Sequence, residues 1–175
     1  MESEDIHIRI GHSPDPDDAF MFHALTTGAM ETPGRHYEHV LLDIQTLNEK
    51  ALNSEYEISA VSIHSFPKII ENYALMNCGA SMGEGYGPML IGNEQLTSQE
   101  AKSRTIAVPG LDTSAYLALR LAWGEVDVEV VPFDEILPSV SEGKYDVGLI
   151  IHEGQLTWKD EGVYLIQDLG VWWNE

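Results

Sequence analysis

Strand-like and helix-like segments alternate along this chain, and that alternation limits its possible folds more than any other feature. "IHIRIGH" (6–12) interleaves apolar and polar residues and reads as a strand, while "DDAFMFHALTTGAM" (17–30) spaces its apolar residues for a helix that stops near Gly28. "EHVLLDI" (38–44) is strand-like, "TLNEKALNSE" (46–55) is helical, and "YEISAVS" (56–62) is a third strand, followed by a helix over 65–73. "YALMNCGASM" and "GPMLIGN" read as two further extended pieces around Gly83, Gly85 and Gly87. The pattern then restarts with "TIAVPG" (105–110) as strand, "TSAYLALRLAWG" (113–124) as helix and "VDVEVVPF" (126–133) as strand. "FDEILPSVSEG" (133–143) reads as a short helix interrupted by Pro138, and "GVYLIQDL" (162–169) as a final strand-like piece. Between them, "YDVGLIIHE" (145–153) carries the continuous apolar run of a strand buried on both faces. Helices inserted between successive strands cover the sheet those strands build, so the order predicts an α/β fold with largely parallel sheets. The polar stretch "NEQLTSQEAKSR" divides it into two small α/β lobes, 1–92 and 93–175, joined by extended crossovers around a cleft. "GASMGEGYG" (79–87) reads as a hinge segment whose glycines let the backbone bend.

Charge narrows the partners. With 29 acidic against 9 basic residues the formal charge is -20, a field that repels phosphate. Nucleic acid and anionic membrane surfaces are therefore not expected partners, whereas a small ligand, held by local donors, is compatible with it. An apolar share of 43% is enough for a real core. The start, "MESEDIHIRI", has no long apolar run and is not expected to be a signal or transit peptide. No stretch approaches the ~20 apolar residues of a membrane span. The single cysteine, Cys78, cannot pair within the chain and reads as a core filler, so a reducing cytoplasm is the expected location. Nothing in the composition specifies an oligomeric state.

Open parallel sheets bind ligands beyond the carboxyl ends of their strands, where the following helices begin. Those ends carry Ser13 after the first strand, Ser62 with His64 and Ser65 after the third, Asp112 to Ala115 after "TIAVPG", and His152 with Glu153 after "VGLII". Hydroxyls at three ends and an imidazole at a fourth are the groups expected to converge on a small molecule. Thr113 and Ser114 follow Gly110 at a helix start, where first-turn N–H groups lack partners. They are either N-caps or a carboxylate or phosphate cradle; Asp112 as cap would free both hydroxyls. His152 is either a proton-transfer residue or a hydrogen-bonded structural histidine at the rim of the core. "HEGQL" has Leu156 where a zinc motif needs its second histidine, and the other histidines show no ligand spacing, so no metal site is expected. Of these, His12 and His64 are minor candidates for the cleft. "GHSPDPDDAF" (11–20) resembles a calcium loop only superficially, because Pro14 and Pro16 stiffen it. It reads better as a helix start with Asp17 or Asp18 as the cap. There is no nucleophile elbow, and the glycine-rich stretch lacks the lysine of a P-loop.

In order, "SPDPDDAFMF", "LLDIQTLNEKAL", "ISAVS", "GYGPMLI", "AVPGLDTSAYLAL", "ILPSVSEGKYDVGLIIHEGQLTW" and "DLGVWW" resemble the 1,4-dihydroxy-6-naphthoate synthase family of the futalosine route to menaquinone. The resemblance implies a type II periplasmic-binding-protein-like fold, two α/β lobes around a cleft. It implies a lyase that converts cyclic dehypoxanthinyl futalosine to 1,4-dihydroxy-6-naphthoate, with no metal or organic cofactor. It places the family's proton acceptor on His152 and its substrate-contacting strand end on Ala60, Val61 and Ser62. The pair at the helix start falls on Ser114 and Ala115, where many members have threonine in place of Ser114. Ser13 and Thr113 complete the expected substrate-binding set. The family's first motif commonly has asparagine where Asp17 stands, an extra negative charge near an anionic substrate. Members also continue past "DLGVWWNE", so a C-terminally shortened chain, lacking elements that return to the first lobe, is expected. The alternatives are a chorismate dehydratase-like sister enzyme and a non-catalytic solute-binding or degenerate relative.

Overall fold

The computed structural model describes residues 5–151 and 154–175. The chain separates into two compact units, one running to Ser81 and one from Met82. The first contains β1 (Ile6–His12), α1 (Pro16–Thr26), β2 (Arg35–Leu41), α2 (Ile44–Leu52), β3 (Ile58–Ser59) and α3 (Phe66–Ile69). Its strands form a parallel sheet in the order β2-β1-β3. Asp43 starts α2 by accepting the Thr46 N–H at 3.0 Å, and the helix turns Leu47, Asn48 and Ala51 inward. Gly11 lets α2 approach, since a Cβ there would lie 2.7 Å from Tyr56 Cδ2 and 2.8 Å from Leu47 Cδ2.

Two expectations for this unit need correcting. The strand over 56–62 shrinks to Ile58–Ser59, because after the Ala60 N–H bonds Gly11 O at 2.8 Å the chain turns into the Ser62–Ser65 bend. "YALMNCGASM" forms no strand, and Cys78 is exposed rather than packed in the core.

The second unit contains β4 (Met89–Gly92), α4 (Ser98–Ala101), β5 (Ile106–Val108), α5 (Ser114–Trp123), β6 (Val128–Val130) and α6 (Phe133–Ser141). It continues with β7 (Val147–Ile150), α7 (Gly154–Thr157), a 3-10 turn (Trp158–Asp160), β8 (Tyr164–Asp168) and α8 (Leu169–Trp173). The sheet order is β6-β5-β7-β4-β8, with β5 parallel to β6 and β7, and β4 antiparallel to β7 and β8. The sheet is therefore mixed. It also moves the unit boundary from 92 to 81, inside "GASMGEGYG": β4 was expected in the first lobe, but its ladder bonds are to β7 and β8. The polar stretch read as that boundary is a helix start, because Thr97 and Glu100 form a capping box.

β7 is buried along its whole length, as its unbroken apolar run requires. One side of the sheet packs Leu90, Ile106, Val108, Leu119, Val147 and Leu149, and another cluster holds Ile91, Ala107, Ile136, Val140 and Ile150. Gly148 admits α6, since a Cβ there would lie 2.7 Å from Ile136 Cγ2 and 2.8 Å from Val140 Cγ2. Pro138 does not interrupt α6. The helix keeps its shape around the missing N–H because Ile136, Leu137 and Val140 are anchored in the core. No helix among the described residues is long and apolar enough to cross a membrane.

Candidate functional site

In the first unit the end of β1 is tied up in its own network. The Ser13 N–H donates to Asp18 Oδ2 at 2.6 Å, and the Ser13 hydroxyl donates to Asp15 Oδ2 at 2.7 Å. Asp15, not Asp17 or Asp18, occupies the N-cap of α1, because Pro16 takes the first helical position, where its missing N–H costs nothing. Asp17 is exposed and accepts a hydrogen bond from the Ser81 hydroxyl. Asp18 is buried, and desolvation pushes its carboxyl above the ordinary range, against the opposing pull of the Ser13 N–H. No group of three or more His, Cys, Asp or Glu side chains suited to a metal ion occurs among the described residues.

Beside this network lies a histidine pair. His12 is buried, with Nδ1 3.0 Å from Ser13 O, so that nitrogen carries the proton. Its Nε2 then accepts from His39 Nδ1 at 3.0 Å. That leaves His39 Nε2 as a buried acceptor with no partner among the described residues, and burial, aided by His12, lowers the His39 pKa from its ordinary 6.5. Phe22 of α1 packs on the His12 ring at 4.4 Å between centroids. His12 is thus a structural partner of His39 and Ser13.

The end of β3 is built differently. Ala60 and Val61 are half-buried and Ser62 is buried. Asn48, fully buried on α2, accepts the Ser62 N–H at 2.8 Å through Oδ1 and donates to Ser62 Oγ at 3.1 Å through Nδ2. The Ser62 carbonyl accepts from the Ser65 N–H at 2.9 Å. Sequence reading missed Asn48, although a signal was present. Positions 44, 47, 48 and 51 share one helix face, so an asparagine at 48 stands where apolar residues face the core.

In the second unit Thr113, not Asp112, caps α5. Its Oγ1 accepts the Tyr116 N–H at 3.2 Å and donates to Gly110 O at 2.8 Å, with 2% of the residue exposed. Gly110 stands at φ 151°, a conformation that favours glycine. The capping alternative therefore holds for Thr113. Ser114 is half-buried at the first helical position and Ala115 is buried behind it. The first-turn N–H groups that Thr113 does not satisfy point out of the helix start, as a weakly positive end.

β7 ends at Ile150, followed by Ile151; His152 and Glu153 lie outside the described residues. At the end of β7 is a hollow of about 240 Å³. Phe133, Asp134, Leu137, Pro138, Ile150, Ile151, Gly154 and Thr157 line it. It is largely apolar, and none of these residues was singled out in the sequence as part of a site. Each unit thus gathers its own strand-end groups: Ser13 and Ala60–Ser62 in the first, Thr113–Ala115 in the second.

Comparison with known proteins gives a consistent result. Residues 8–175 match a family described as "Menaquinone biosynthesis". The chain is 39% identical over 169 residues to 1,4-dihydroxy-6-naphtoate synthase of Thermus thermophilus, covering 96% of this chain and 61% of that protein. It is 36% identical over 175 residues to the enzyme of the same name from Streptomyces coelicolor, covering 95% and 60%. The chain thus spans about three fifths of the curated relatives it matches. A crystal structure of a protein from Archaeoglobus fulgidus superposes with a TM-score of 0.90 at 42% identity, covering 99% of this chain and 64% of that one. The alkanesulfonate-binding protein of Xanthomonas axonopodis pv. citri reaches a TM-score of 0.71 at 14% identity, covering 94% and 61%, a likeness of fold alone. The architecture is the mixed α/β one of periplasmic-binding-protein-like folds.

Proposed function

The chain belongs to the menaquinone-biosynthesis family, and on that premise we propose that it acts as a carbon–carbon lyase of the 1,4-dihydroxy-6-naphthoate synthase kind. Its substrate is cyclic dehypoxanthinyl futalosine, a carboxylate with a spiro-fused sugar. Its product is 1,4-dihydroxy-6-naphthoate, with release of a sugar-derived fragment. Ser62 with Ala60 and Val61, and Ser114 with Ala115, bind the substrate. His152 takes the proton whose removal starts carbon–carbon cleavage, driven by the gain of aromaticity. A positioned general base of this kind contributes roughly 10²–10⁴ in rate.

The observation that carries this reading is the difference among the strand-end hydroxyls. Those of Ser13 and Thr113 donate to Asp15 and Gly110, so their protons shape the turns. The Ser62 hydroxyl, by contrast, accepts from Asn48 and keeps its own proton to give. Ser13 and Thr113, at the same strand ends, complete the proposed substrate-binding set. The exposed Asp17 accepts a hydrogen bond from the Ser81 hydroxyl.

The test is a comparison of the unsubstituted chain with His152→Ala. The variant is expected to lose turnover of cyclic dehypoxanthinyl futalosine while keeping most of its affinity. Full activity in His152→Ala would remove the histidine from the mechanism. The likeness of fold to solute-binding proteins supports a second reading, a non-catalytic binder, which would show tight binding of the same compound and no product from the unsubstituted chain.

A further inference from the structure

We infer that Asn48 is a positioning residue that holds the Ser62 hydroxyl as a hydrogen-bond donor toward an anionic group of the substrate. The inference rests on the substrate-binding role proposed above for Ser62.

The argument begins with a group whose direction is fixed. A backbone N–H can only donate, so the end of the Asn48 amide 2.8 Å from the Ser62 nitrogen is the carbonyl oxygen. The other end is then the NH₂ group, which lies 3.1 Å from Ser62 Oγ and donates to it. A hydroxyl that accepts along that line directs its own proton elsewhere. No described residue is placed to accept it. The remaining polar groups nearby are already engaged, since the Ala60 N–H is bonded to Gly11 O and the Ser62 carbonyl to the Ser65 N–H. The Ser62 hydroxyl proton is therefore an available donor at this strand end, and a donor selects an oxyanion or carbonyl oxygen.

Asn48 is suited to the task because it cannot wander. It is 0% exposed, between Leu47 and Ala51 on a helix whose start Asp43 caps. Its amide grips both the main chain and the side chain of Ser62, so the hydroxyl is oriented before a ligand arrives. Ser13 shows the opposite arrangement: a neighbouring carboxylate takes its hydroxyl proton, and nothing is left to give.

The experiment exchanges the donor for an acceptor at constant size. Asn48→Asp keeps an oxygen for the Ser62 N–H but puts a second oxygen beside Oγ, which draws the hydroxyl proton inward. Affinity for cyclic dehypoxanthinyl futalosine, measured by titration calorimetry, is expected to fall about ten- to a hundredfold near neutral pH, the worth of a hydrogen bond to a charged group. It should recover as the pH is lowered and the new carboxyl regains a proton to donate, a pH dependence absent from the unsubstituted chain. Ser62→Ala is expected to lose a similar factor, and adding Asn48→Asp to it should change affinity little, because Asn48 acts through that hydroxyl.

If Ser62→Ala leaves affinity unchanged, the substrate role of Ser62 fails and this inference with it. If Ser62→Ala weakens binding but Asn48→Asp does not, or does so without pH recovery, the inference alone is overturned. Neutron diffraction of the unsubstituted chain decides the geometry without any variant. A Ser62 hydroxyl deuterium directed away from Asn48 supports the inference, and one pointing at the Asn48 amide contradicts it.

Discussion

The two units are held together by different forces. In the first, the buried apolar residues among those described are Ile10, Leu47, Ala51 and Ile69, set beside the buried polar residues His12, Ser13, Asp15, Asp18, Asn48, Ser62 and Ser65. In the second, a mixed sheet carries apolar side chains on both faces, and the buried polar residues among those described are Thr113 and Ser139. Apolar burial is non-directional and scales with area, whereas hydrogen bonds are directional and contribute little net energy unless broken in the interior. The second unit is thus the harder to unfold. The first holds particular atoms in particular places. Even its α1 follows this rule: Phe20 is 86% exposed, and the residue this helix buries is Asp18.

The largest effect should come from the second unit. Leu149→Ala, at a fully buried site on β7, is expected to cost about 2–5 kcal/mol. Native-state amide exchange should show protection lost over β4, β5 and β7 while β1 and β2 keep theirs. Equal loss in both units would break the contrast. Next, Asn48→Ala should cost about 1–3 kcal/mol by stranding the Ser62 N–H without a partner, with faster exchange confined to the first unit. A smaller loss than that would mean that water replaces the amide. Thr113→Ala should cost about 1 kcal/mol, read as a lower unfolding temperature, since the cap is one bond beside a large apolar core.

The smallest effect is a dependence on pH that sharpens the contrast. His39 has a lowered pKa in the fold, so the unfolded chain binds its proton first, and stability falls as the pH drops below about 6.5. Glu57 is held down to about 2 by the Arg9 guanidinium and N–H. Its contribution is present above its ordinary 4.5 and is lost as the pH falls toward 2, reduced in size because the pair is half-exposed to solvent. Asp18 acts in the opposite sense. Its raised pKa favours the folded state at low pH, and this help fades as the pH rises through the folded value. The protection factors of first-unit amides, corrected for the intrinsic pH dependence of exchange, should therefore fall below pH 6.5, and His39→Asn should remove that step. A step that survives the substitution would assign it to another group.

Much of the scaffold could be read from the chain, and the reason is periodicity. The strand at 147–150 and the helix at 114–123 carry their own pattern of burial, so local sequence specifies them. The partner of β4 was not readable, because a short apolar strand states that it is buried but not against which sheet. Cys78 was misjudged because apolar neighbours do not ensure burial where the chain forms no regular element. At the strand ends, the positions of the hydroxyls were visible. What each hydroxyl does was not, because the direction of a proton depends on a partner far along the chain, as Asn48 is for Ser62. The hollow lined by Phe133 and Leu137 was hidden for a related reason, since apolar residues at a helix start look like core until the packing leaves space beside them.

The most direct measurement is to mix the purified chain with cyclic dehypoxanthinyl futalosine and follow 1,4-dihydroxy-6-naphthoate by liquid chromatography and mass spectrometry. The account predicts steady formation of that product from the unsubstituted chain, reduced in Ser62→Ala and abolished in His152→Ala. Saturable binding of the compound with no product formed would contradict it.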